Sequence, residues 1–215
     1  MREDSMELAQ LKEAVIAGDM ASTKTLTEQA LEAGIEPASI LNDALISGMD
    51  RVGDLFKVNE IYVPEVLLAA KSMQQAMQVL KPLLVDSGIE PRGKIVVGTV
   101  RGDLHDIGKN LVAMMLEGAG FEIIDLGNDV PAEKFVEAAL EHDATLIGMS
   151  ALLTTTMHVM KETIDLLQEK GLDGKVRTMV GGAPVTGSFA KEIGANGYGD
   201  DAATAVDLAK QFMEG

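Results

Sequence analysis

Cysteine is absent from all 215 residues, which excludes disulfides, thiolate zinc sites, thiolate-bound iron–sulfur clusters and a cysteine nucleophile. Any metal must be held by histidine or carboxylate, or arrive inside a cofactor. Long apolar runs are also missing. No segment approaches the roughly 18 residues that a membrane-spanning helix needs, and the opening MREDSMELAQ has neither the basic flank nor the apolar block of a signal peptide. The chain therefore reads as a soluble, cytoplasmic protein with no membrane partner. Basic residues are in short supply, 18 Lys and Arg against 34 Asp and Glu, for a formal charge of −16. Such a field opposes phosphate backbones and anionic lipid, so nucleic acid is not expected as a partner. Aromatic residues make up only 3% while methionine occurs 13 times, the composition of a core filled by flexible, polarizable side chains.

What is present is enough to build a core. The hydrophobic fraction is 47%, and the length accommodates two small domains. Up to about residue 88 the spacing is helical. Leu8, Leu11, Val15 and Ile16 fall on one face, as do Leu41, Leu45, Met49, Val52 and Phe56. Gly18-Asp19, Gly34 and Pro37 punctuate this region into about four helices, the last running over roughly 63–85. After the turn-rich SGIEPRG at 87–93 the period changes. Two domains are expected, 1–88 and 89–215.

In the second region short apolar stretches at 94–100, 121–127, 144–150, 175–182 and, more weakly, 195–199 alternate with amphipathic segments at 107–118, 132–142, 156–170, 185–193 and 201–213. Strand–helix alternation implies an α/β fold with a parallel sheet covered on both faces. Five right-handed βα units favour the flavodoxin-like, Rossmann-like strand order 2-1-3-4-5. Ligands of such sheets bind beyond the carboxyl ends of the strands. Three unusual sequences fall there: TVRGDLHDIGKN at 99–110, SALLTTT at 150–156 and GGAPVT at 181–186.

The first of these is not a phosphate loop. Five residues separate Gly102 from Gly108, where the Walker pattern has four, and Asn110 stands where a magnesium-binding Ser or Thr is needed. No G-x-G-x-x-G occurs. A phospho-receiver would use Asp103 and Asp106 but has no use for His105. The remaining chemistry is metal ligation. An imidazole bound to metal through one nitrogen usually donates its other N–H to a carboxylate, which Asp103 could supply, and Gly108 would let a bulky group approach the helix start. Taken alone, the same residues also fit a surface-turn histidine beside solvated aspartates.

Asp103-Leu104-His105-Asp106-Ile107-Gly108, Ser150-Ala151-Leu152 and Gly181-Gly182 resemble the D-x-H-x-x-G, S-x-L and G-G elements of cobalamin-binding domains, in the same order. LFKVNEIYVPEVLLAAKSM at 55–73 is similar to the four-helix cap that precedes this domain in methionine synthase and in corrinoid proteins of methyltransferase systems. The resemblance implies cobalamin or a related corrinoid as cofactor, in its methylcobalamin form during turnover. His105 would replace the corrinoid's own lower base beneath cobalt, Asp103 would hydrogen-bond it, and Thr156 would extend the relay where methionine synthase has Ser. Gly102, Leu104, Asp106, Ile107 and Gly108 would complete the cofactor-binding turn. Ser150 and Leu152 would line the channel for the displaced nucleotide tail, with Thr154 beside them, and Gly181, Gly182, Ala183 and Pro184 would leave room farther in. Tyr62, Val63 and Leu67 would cover the upper face, and DSGIEPRG at 86–93 would be the hinge that moves this cover.

The implied function is methyl carriage in one-carbon metabolism. The chain would accept a methyl group on cobalt from a substrate-specific methyltransferase and pass it to a second one serving a thiol or tetrahydrofolate, with a reductive activase as a further partner. A B12-dependent sensor and the small cobalamin-binding subunit of a mutase are the alternatives. His142 reads as a helix-end cap and His158 as structural or exposed.

Overall fold

The structure, a computed structural model, describes residues 2–214. It divides into two compact units, Met1–Glu90 with Gly118–Gly120, and Pro91–Glu117 with Phe121–Gly215. No helix among the described residues is long and apolar enough to cross a membrane.

The first unit is all helix. It contains α1 (Arg2–Ile16), α2 (Met20–Glu32), a rod formed by α3 (Pro37–Ser39), a π-helical stretch (Ile40–Ile46) and α4 (Ser47–Lys57), and the long α5 (Val63–Asp86). The starts are signalled locally. The Asp19 side chain caps α2 by accepting from the Ser22 N–H at 3.0 Å, and prolines occupy the first turns of α3 and α5. The hydrogen bonds from the Ser22 hydroxyl and N–H hold the Asp19 carboxyl below its ordinary pKa. Leu11, Val15, Ile40, Leu45, Val52, Val66 and Leu80 are fully buried. The spacing of Leu41 through Phe56 predicts one helical run. The rod is continuous, but its π-helical part turns Ala44, Leu45 and Ile46 all away from water, which a regular amphipathic α-helix would not do.

The second unit alternates as the sequence predicts: β1 (Lys94–Thr99), α6 (Ile107–Gly118), β2 (Glu122–Asp125), α7 (Ala132–Glu141), β3 (Leu146–Ser150), α8 (His158–Glu169), β4 (Arg177–Gly181), α9 (Gly187–Ile193), β5 (Gly197–Gly199) and α10 (Ala202–Glu214). All pairings are parallel, in the order β2-β1-β3-β4-β5. The register sets Val96 beside Ile147 and Met149 beside Val180. With Phe135, Val159, Met160 and Ile193 these form a continuous apolar core against α7, α8 and α9. Gly98 belongs to this packing, because a Cβ there would come within 2.7 Å of the Phe135 ring. Register also aligns Thr99, Ser150 and Gly181 in one row at the carboxyl edge. The strand ends thereby bring the three unusual sequences together.

Candidate corrinoid site

Asp103 is the hub of this edge. It lies in the turn after β1 and is 0% exposed, although the residues on either side of it, Gly102 and Leu104, are exposed. One carboxylate oxygen, Oδ1, accepts from the His105 backbone N–H at 3.1 Å and faces His105 Nδ1 at 2.7 Å. The other, Oδ2, accepts from the Leu152 and Leu153 N–H groups at 2.6 and 3.0 Å. Burial is the largest single influence on this carboxyl and by itself raises its pKa. The donors of Leu152, His105 and Leu153 outweigh it and hold the group well below the usual carboxylate range. Asp103 is therefore an anion whose charge is balanced by directed N–H groups.

That anion fixes the tautomer of His105. Nδ1 carries the proton toward Oδ1, which leaves Nε2 with a free lone pair, and no hydrogen-bond partner of Nε2 exists among the described residues. The side chain is 53% exposed. Its surroundings are apolar and open. Among the described residues, the second unit exposes five large hydrophobic side chains, and four of them, Leu104, Ile107, Leu152 and Leu153, lie on the two segments that Asp103 ties together; the fifth is Leu140. A Cβ on Gly108 would meet nothing within 4 Å. An imidazole nitrogen without a hydrogen-bond partner, on a turn that also exposes large apolar side chains beside open space, fits a large, mostly apolar ring with a metal at its centre.

The other expected residues take distinct places. Thr156 is buried in the turn Thr154–Thr156, with Oγ1 at 3.3 Å from Asp103 Oδ2 and at 2.8 Å from the Leu153 carbonyl. A hydroxyl has one proton, so the shorter bond to Leu153 competes with the link to Asp103. Thr154 is exposed. Ser150 is half-buried at the end of β3, and its carbonyl accepts from Val100 N–H at 3.0 Å. At Gly182, with φ of 118°, a Cβ would run into the Ala151 carbonyl, and at Gly181 it would come within 2.9 Å of the Gly199 carbonyl. Both glycines permit close approach of neighbouring main chain. Ala183 is exposed and Pro184 half-buried in the following loop. Asp106 is half-buried, and its carbonyl takes the first bond of α6, from Asn110 N–H at 2.8 Å. Tyr62 and Val63, at the start of α5, are exposed, and Leu67 is half-buried; all three belong to the first unit. Of the other histidines, His142 is the exposed C-cap of α7, and His158 is exposed at the start of α8.

Sequence reasoning missed the groups that support the turn from the side of β2. Lys109, buried on α6, donates to Asp125 Oδ1 at 2.6 Å. Thr99 Oγ1, also buried, donates to the His105 carbonyl at 3.0 Å, and Asp129 Oδ1 accepts from Gly102 N–H at 2.7 Å. The visible signal was LGNDVP at 126–131, where two short polar residues precede a proline just past a strand.

Comparison with known proteins agrees with this geometry. Residues 93–207 match a B12 binding domain, and residues 7–81 match a second family model that is also described as a B12 binding domain. The chain belongs to the B12-binding family. Dimethylamine corrinoid protein 1 of Methanosarcina mazei is 44% identical to this B12-binding chain, over 97% of its length and 96% of the relative's. Among solved structures, a chain of the methanol:cobalamin methyltransferase complex MtaBC from Methanosarcina barkeri matches with a TM-score of 0.87 at 32% identity, covering 98% of this chain and 80% of that one. A cobalamin-binding protein from Desulfitobacterium hafniense matches with a TM-score of 0.79 at 31% identity, covering 95% and 98%.

Proposed function

We propose that this B12-binding chain is a corrinoid protein that carries methyl groups for a substrate-specific methyltransferase. Residues 89–215 hold the cofactor, and residues 1–88 act as its cap. The observation that carries the assignment is the His105 imidazole, pinned through Nδ1 to a buried anion that also ties together the two segments exposing Leu104, Ile107, Leu152 and Leu153. The similarity to dimethylamine and methanol-system proteins over nearly the whole chain supports the same reading.

When bound, the corrinoid supplies a cobalt centre that takes up and surrenders a methyl group. The protein's part is derived from its own residues. His105 Nε2 would hold the cobalt. Asp103 would keep the Nδ1 proton directed away from the metal position. The Asp103 carboxylate, 2.7 Å from Nδ1, fixes the orientation of the ring. Thr156 adjusts that carboxylate by donating either to it or to Leu153. Gly102, Asp106 and Gly108 shape the turn, and Ser150, Leu152, Thr154, Gly181, Gly182, Ala183 and Pro184 would hold the nucleotide tail. The family resemblance would give Tyr62, Val63 and Leu67 the role of an apolar cover, which would exclude water from the cofactor. The cofactor would be methylcobalamin in turnover, and a second methyltransferase for a thiol or tetrahydrofolate and a reductive activase would be the further partners.

Reconstitution with hydroxocobalamin tests this. The expected result is one corrinoid per chain with a visible spectrum in which histidine replaces the cofactor's own base, lost in His105→Ala. A folded wild-type protein that takes up no corrinoid, or an unchanged spectrum in the variant, would contradict it.

A further inference from the structure

The turn that carries His105 poses a mechanical problem. Gly102, Leu104 and His105 are all exposed, so little apolar packing holds the main chain between β1 and α6. Yet Asp103 within it must keep its carboxylate aimed at one imidazole nitrogen. The Leu152 and Leu153 amides grip that carboxylate from the side of β3. From the side of β2 the grip falls on the main chain itself. Asp129 N–H donates to the Asp103 carbonyl at 3.0 Å, and the Gly102 N–H donates to Asp129 Oδ1 at 2.7 Å. One residue thus holds two consecutive residues of the turn. The pairing continues outward through Arg101 N–H to the Val130 carbonyl at 2.8 Å and Val130 N–H to the Thr99 carbonyl at 3.0 Å.

Asp129 holds this position in the left-handed region, with φ of 55°. Glycine takes that conformation at no steric cost. Aspartate is among the residues that tolerate this conformation, and here its side chain is also engaged, accepting at 2.7 Å from the N–H of the residue immediately before Asp103.

We propose that Asp129 is a positioning residue for the axial histidine, acting by clamping the Gly102–Asp103 main chain so that the Asp103 carboxylate and His105 ring stay in register. The proposal rests on the reading of His105 as the cobalt ligand. It predicts that losing the Asp129 acceptor loosens the turn and weakens ligation without unfolding the protein, since ligands held by their supporting residues lose affinity when the support is removed.

The test uses full-length wild type, Asp129→Gly and Asp129→Asn. Glycine keeps the backbone conformation and removes the acceptor; asparagine keeps both. Each apoprotein is titrated with aquocobinamide, a corrinoid without a lower base, so any axial nitrogen in its visible spectrum comes from the protein. Exchange of the Gly102 amide is measured on the apoproteins alone, beside their melting temperatures. The expected result is an affinity for histidine ligation about tenfold weaker in Asp129→Gly and largely retained in Asp129→Asn, with faster Gly102 exchange in the glycine variant only and melting curves still cooperative. Asp129→Gly indistinguishable from wild type would overturn the clamp and leave His105 standing. Equal losses in both variants would overturn the acceptor role. No axial nitrogen in wild type would overturn this proposal together with the ligand assignment.

Discussion

Two turns of the second unit each present an exposed imidazole, and their difference shows what suits one of them to hold a metal. His105 follows β1 and His158 opens α8; their side chains are 53% and 61% exposed. In both, Nδ1 is engaged at short range, with Asp103 Oδ1 at 2.7 Å and with the Thr155 carbonyl at 2.9 Å. Exposure and an occupied Nδ1 therefore do not separate them. The partner does. His105 leans on a fully buried carboxylate kept ionised by backbone N–H groups, whereas His158 leans on a neutral carbonyl. On the other nitrogen the contrast reverses. His105 Nε2 has no hydrogen-bond partner among the described residues, on a turn that exposes Leu104 and Ile107, while His158 Nε2 lies 3.7 Å from Glu162 Oε1 on the same helix, which also accepts from Arg101 through Oε2. A buried anion behind one nitrogen and no partner on the other suit an imidazole to hold a metal; a carbonyl behind and a carboxylate in front suit a surface residue.

This contrast can be broken or sharpened by substitution. The largest effect is expected for His105→Ala, which abolishes protein-nitrogen ligation of a reconstituted corrinoid as read from the visible spectrum, while His158→Ala leaves it intact. Next is Asp103→Asn, which keeps an acceptor but no charge. Ligation affinity should fall about 10–100-fold, measured by titration with a base-free corrinoid. Asp103→Ala goes further in a different quantity. It strands the Leu152 and Leu153 donors, and urea unfolding of the apoprotein should show a loss of about 2–3 kcal/mol. Thr156→Val should weaken ligation less than about threefold and stability by about 1 kcal/mol, because its hydroxyl lies closer to the Leu153 carbonyl than to Asp103. The smallest effect belongs to His158→Ala on stability, within about 0.5 kcal/mol, as expected where the partners are solvent-exposed.

How much of this could be read from residues alone follows from what each interaction is made of. Strand–helix alternation revealed the sheet and its order because parallel strands buried on both faces leave continuous apolar runs, as in KIVVGT of β1. Asp103, His105 and Thr156 were legible because side chains carry the chemistry, and the fold does bring them together. The Leu152 and Leu153 amides were not, since a backbone N–H has no letter of its own. Leu104, Ile107 and Leu152 were named only through the family resemblance, and Leu153 was not named at all; their exposure was hidden. Leu104 and Ile107 look like ordinary core residues in sequence, and only their exposure of 69% and 84% marks them as a surface meant to be covered. Asp129 escaped because its significance lies in a backbone angle and in two bonds across 26 or more residues of sequence. The π-helical widening of the rod before α4 was invisible for a related reason, as its apolar spacing is compatible with an ordinary helix.

The central claim is that His105 Nε2 is the axial ligand of a corrinoid cobalt, and electron paramagnetic resonance of the divalent cobalt form tests it most directly. The unpaired electron points along the axial direction, so each cobalt line is split by a single axial nitrogen. In protein labelled with nitrogen-15 only at histidine and loaded with unlabelled cobalamin, the account predicts a two-line splitting, which disappears in His105→Ala. A three-line pattern from the cofactor's own nitrogen-14 base, or no nitrogen splitting in the wild type, would contradict it.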